Sequence, residues 1–154
     1  GNGERVQHTT RLLNQGYAPV AYATKEAHRF LQLGLGDTLN PRELNDQFLR
    51  DTNLIYRRYK FVPAYSSTFE EMTAIMAHAR LHGHERVILV SNRFHTGRMQ
   101  YVAELVDWPE DIELIISGAE PLLFSHDNWW RREDGLIFVN NEYVKWVHYW
   151  LTYD

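Results

Sequence analysis

Four consecutive apolar residues, Val87, Ile88, Leu89 and Val90, constrain this chain more than any other stretch. They sit between Arg86 and the polar pair Ser91 and Asn92. A run with no polar residue on either alternating face has to be covered on both sides. That is the situation of a strand inside a parallel sheet, with helices above and below. Its neighbours agree. Residues 68–82 place Phe69, Met72, Ile75, Met76 and Ala79 on one helical face before Gly83. Residues 94–106 read as a second helix, broken by Trp108 and Pro109, and a further strand is expected at 112–117. The unit is strand, helix, strand.

The first half repeats the alternation less sharply. A helix is expected at 4–15, with Val6, Thr10, Leu12 and Leu13 on one side and Gly16 as the stop. A β-compatible stretch follows at 17–24, then a helix at 25–36. Asn40 and Pro41 form a cap and first-turn pair for a helix at 41–50, with Leu44 and Phe48 inward. A short strand is expected at 59–62, ended by Pro63. After an irregular stretch at 118–135 comes a last helix, with Tyr143, Val147, Trp150 and Leu151 at helical spacing. Trp129, Trp130, Trp146 and Trp150 read as core, because large aromatics fill small domains efficiently.

Short apolar strands alternating with amphipathic helices predict an α/β fold: a Rossmann-like three-layer sandwich with a mostly parallel sheet and right-handed crossovers. With no repeat or linker in view, residues 1–154 read as a single domain. The chain opens on a helix, and its Gly-rich start resembles the loop that follows a strand. A first strand therefore looks missing, leaving an open sheet edge through which two copies could pair.

Composition removes several function classes. Sixteen Lys and Arg are scattered under a net charge of −4, so no basic stripe for nucleic acid is present. The absence of cysteine excludes disulfides, thiolate metal sites and a Cys nucleophile. The longest apolar runs fall far short of the roughly 20 residues of a membrane span, and no leader peptide is visible. A cytoplasmic location is expected, or an envelope-associated one if an N-terminal anchor has been removed. His78 and His82 lie four apart with His84 nearby, but no H-E-x-x-H motif accompanies them, and no metal is expected.

Ligands of open parallel sheets bind beyond the carboxyl ends of the strands, where helices begin. Ser91, Asn92, His95 and Arg98 stand at such an end. His95 and Arg98 are three apart and share a helical face. Arginine suits a phosphate or carboxylate, and histidine suits proton transfer. Here Arg98 is expected to hold a ligand anion and to be expendable for folding. A second polar turn precedes the 68–82 helix: Ser67 with Glu70, and Thr68 with Glu71, both fit a capping box. A Ser91–His95 hydrolase is disfavoured by the lack of a G-x-S-x-G elbow. The polar stretch 125–134 reads as a surface loop that could cover the cleft.

Three segments, "STFEE" (67–71), "LVSNRFHTGR" (89–98) and "NNEYVKWVHYWL" (140–151), together resemble the YdcF-like family that includes SanA and ElyC. The resemblance is best from residue 60 onward, and its most specific piece is the H-x-x-R turn after the strand. It implies a Rossmann-like fold with a polar cleft formed by Thr68, Glu70, Ser91, His95 and Arg98, with Glu142 contributed by the terminal helix. It also implies a phosphorylated or nucleotide-like ligand, S-adenosylmethionine as the candidate cofactor, and a role in bacterial envelope maintenance. His95 and Glu70 would be catalytic. Ser67, Thr68, Ser91, Asn92, Arg98 and Glu142 would bind. The chain departs from the family where relatives carry Ser-Gly-Gly: it has Ala23, Thr24 and Lys25, and Lys25 is the substitute source of charge. Two functions remain open: a hydrolase or transferase, or a binding and regulatory module without turnover.

Overall fold

The computed structural model describes residues 2–24, 59–62, 66–121 and 123–153. The helices expected at 25–36 and 41–50, with Lys25, lie outside them. The chain divides into two compact units, Gly1–Ala64 and Tyr65–Asp154.

In the first unit, helix α1 (Asn2–Asn14) buries Val6 and Leu13. It stops where the sequence says it should. Gly16 takes φ +80, letting its N–H reach Leu13 O and the Tyr17 N–H reach Leu12 O, both at 3.1 Å. This is a Schellman cap, which needs a left-handed residue that glycine adopts without steric cost. Strands β1 (Ala21–Thr24) and β2 (Tyr59–Val62) then pair in parallel, with Ala21 opposite Tyr59 and Thr24 opposite Val62.

The second unit is the expected strand–helix–strand with a helix on each side of it in sequence. Helix α2 (Thr68–Leu81) leads into β3 (Arg86–Asn92), a single 3₁₀ turn (Arg93–His95) and α3 (Thr96–Leu105). Then come β4 (Glu113–Ala119), another 3₁₀ turn (Trp129–Arg131) and α4 (Glu133–Tyr153). β3 and β4 pair in parallel over all seven residues, from Arg86 opposite Glu113 to Asn92 opposite Ala119. The described residues are thus mixed helix and parallel strand, an α/β arrangement. The core joins Met72 of α2, Leu89 of β3, Met99, Val102 and Ala103 of α3, and Tyr149 of α4. No described helix is long and apolar enough to cross a membrane.

Two expectations need correction. α4 begins at Glu133, inside the stretch read as irregular, because Glu133 and Asp134 favour the positive end of a helix more than the loop-like composition opposes it. The stripe Tyr143, Val147, Trp150 and Leu151 is helical as expected but lies exposed, and α4 buries Gly135, Val139 and Tyr149 instead. Trp130, Trp146 and Trp150 are likewise exposed, not core. Periodicity identifies a face; it does not say which of two apolar faces meets the core.

Gly83 ends α2 with the same Schellman geometry at φ +64, and α3 ends this way too, but on Asp107 at φ +54. A non-glycine residue in that conformation costs about 1 kcal/mol. Asp107→Gly is therefore expected to raise stability by up to about 1 kcal/mol, read as a higher urea midpoint at unchanged slope.

Candidate functional site

Two polar clusters meet at the carboxyl end of β3. The first is local. Ser91, 3% exposed, shares a 2.8 Å hydrogen bond between its Oγ and His95 Nδ1. The intervening residues make this possible. Asn92 caps the 3₁₀ turn by accepting from the Phe94 N–H at 3.1 Å, and that turn swings His95 back over the strand end. Gly118, opposite Ser91 on β4, allows the close approach: a Cβ there would lie 3.0 Å from Arg93 Cα. Arg93 also pairs with Glu120 just past the end of β4.

The second cluster is assembled from three helices. Arg98, 5% exposed, donates from Nε to Glu142 Oε2 at 2.8 Å and from Nη2 to Oε1 at 3.2 Å. Its Nη1 donates to Thr68 Oγ1 at 2.7 Å. Its guanidinium carbon lies 5.6 Å from the centre of the Tyr149 ring. Tyr149 in turn accepts the Phe69 N–H on its hydroxyl at 3.3 Å, holding the start of α2 against α4. The two polar helix starts therefore do converge, through the contact between Thr68 and Arg98.

Electrostatics follow from burial. Desolvation pushes the Glu142 carboxyl up, but the Arg98 hydrogen bonds, then the charges of His95, Arg98 and Lys145, outweigh it and hold the pKa below its ordinary 4.5. A folded-state value below the unfolded one means that the stabilisation is complete above about 4.5 and is lost as pH falls through the lower folded value. Urea unfolding measured from pH 7 down to pH 3 is expected to show an acid limb that is flatter in Glu142→Gln, by at most the one-proton slope of about 1.4 kcal/mol per pH unit.

The remaining site residues divide plainly. Ser67 is the N-cap of α2, accepting the Glu70 N–H at 3.2 Å; Thr68 is not, because its hydroxyl faces Arg98. Glu70 is exposed and accepts from Ser66 through both the backbone N–H at 3.2 Å and the hydroxyl at 2.7 Å. The hydroxyl bond is the main reason its pKa is lowered. The side chain hydrogen-bonded to His95 Nδ1 is that of Ser91. The expectation that Arg98 is expendable for folding is also overturned: a buried guanidinium bonded to Glu142 and Thr68 cannot be removed without leaving those groups uncompensated. Sequence reasoning missed Tyr149, although its place seven residues after Glu142 puts it two turns along the same helical face.

Away from the site, His78 and His82 stack at 4.0 Å, with His84 about 6 Å from each, and His82 Nδ1 donates to His78 O at 3.0 Å. Among the described residues no group of three or more His, Asp or Glu is arranged to hold a metal ion. No family model matches the chain, and neither does any curated protein or solved structure.

Proposed function

We propose that this chain is a YdcF-like α/β domain, Rossmann-like in its three-layer plan, that binds a phosphorylated or nucleotide-like small molecule beyond the carboxyl end of β3. S-adenosylmethionine is among the ligands to test. The observation that carries the reading is the Ser91–His95 hydrogen bond at that strand end. A serine on Nδ1 fixes the orientation of the imidazole, which proton transfer requires. An anion would be attracted by the start of α3 and by His95 when protonated. Arg98 enters as a positioning residue, because its charge is matched by Glu142.

Strand pairing supports the plan. In doubly wound folds short parallel strands alternate with helices. The pairs β1–β2 and β3–β4 are of that kind.

The reaction, if the cleft turns its ligand over, is hydrolysis or group transfer with His95 as acid or base. A regulatory module without turnover is the second reading. It is favoured by the engagement of Glu70 with Ser66, which takes away the second acid–base group the sequence suggested. A thermal-shift screen of S-adenosylmethionine, nucleotides and inorganic phosphate, run beside phosphoester turnover, separates the two. A ligand present at 100 times its Kd stabilises by about 2.7 kcal/mol. Stabilisation with turnover that His95→Asn removes supports the enzyme; stabilisation without turnover supports the module; no stabilisation by any of them contradicts both.

A further inference from the structure

We infer that the exposed apolar face of α4 is a self-association surface, on which a second copy of this chain packs its own α4 about a two-fold axis. α4 has two apolar faces. One meets the core through Val139 and Tyr149. The other carries Leu136, Ile137, Tyr143, Val144, Val147, Trp150 and Leu151, all exposed, with Tyr143 at 68% and Leu151 at 73%.

Three observations select a second copy. The first is size. Scaled by their exposure, these seven side chains leave on the order of 700 Å² of apolar surface, against roughly 800 Å² contributed by each partner in a stable interface of standard size. Scattered surface hydrophobics do not reach that continuous area. The second is pattern. Leu136, Asn140, Tyr143, Val147 and Trp150 recur at alternating four- and three-residue spacing, with Ile137, Val144 and Leu151 beside them. This is the seam of a helix that packs on another helix, and a lone Asn140 within it is the kind of residue that fixes pairing register. The third is charge. From Leu136 to Leu151 no charged residue lies among these positions, Glu133 standing at the start of the face, whereas Asp134 and Lys145 fall on the remaining side. An isologous contact sets each residue type against the same face of its copy, and a face without charge meets no repulsion there.

Sedimentation equilibrium of the full chain between 1 and 100 μM tests the proposal. The expected result is a dimer, converted to monomer by Val147→Glu and by Leu151→Glu, each with unchanged helical circular dichroism, while the polar-side Thr152→Glu leaves the dimer intact. Both disrupting positions are exposed, so loss of fold does not mimic loss of association. A monomer at 100 μM overturns the proposal, whether the face is then covered by another part of the chain or binds phosphatidylcholine vesicles in a flotation assay. A dimer that survives both glutamate variants overturns it as well, and points instead to pairing at a sheet edge.

Discussion

Glu142→Ala is expected to destabilise the full chain by about 3–5 kcal/mol, a large part of the 5–15 kcal/mol that holds most domains folded. The cause is what remains. Arg98 stays buried at 5% exposure with Tyr149 beside it, and its Nε and Nη2 lose their acceptors. Arg98→Ala is expected to cost a similar amount, by leaving the Glu142 carboxylate without its two strongest donors. Attraction between buried charges only just offsets their desolvation, so replacing both is much milder than replacing one. The double variant Arg98→Ala with Glu142→Ala should therefore lose far less than the two single losses added together. Urea unfolding of the four proteins gives the cycle, and strictly additive losses would show that the pair is not coupled.

Gly135→Ala is the second large loss, expected at about 1–3 kcal/mol or beyond. A Cβ at this position would overlap Trp129 O and lie 2.8 Å from Trp129 Cα. Both are backbone atoms, so no rotamer change relieves the clash. The turn Trp129–Arg131 has to move off the first turn of α4. Gly97 is the built-in contrast: it lies in α3, nothing stands within 4 Å of where an alanine methyl would fall, and Gly97→Ala is expected to stabilise by roughly 0.5–1 kcal/mol. Thermal unfolding of the two variants should move in opposite directions. Equal and small shifts would contradict the packing described for Gly135.

The sequence is most legible where local chemistry decides structure. Gly16 and Gly83 end helices because only glycine enters the left-handed region without cost, and the unbroken run Val87–Val90 forms the expected strand, although of the four only Leu89 is buried and the full covering expected on both faces is not found. Ser67 is readable as a cap from local chemistry too. Partnership across the chain is not. Thr68 fits a capping box as well as it fits a contact with Arg98, and only the meeting of α2, α3 and α4 decides between them. Glu142 and Arg98 are 44 residues apart, so spacing carries no sign of their pairing. The exposed stripe on α4 has the same period as a buried one. Gly135 gives no local signal either, since the requirement for glycine comes from Trp129, which packs against it from a separate turn.

Whether a ligand sits at the carboxyl end of β3 is reported most directly by the histidine side-chain resonances. Two-dimensional ¹H–¹⁵N spectra of the imidazole nitrogens would be recorded for the full chain, with His95→Asn to assign the His95 signals. S-adenosylmethionine, adenosine monophosphate and inorganic phosphate would then be added in turn. The predicted result is a saturable movement of the His95 signals with at least one of them, while His78, His82 and His84 at the far end of α2 stay still. Signals of His95 that remain fixed throughout, or move only together with those three, would contradict it.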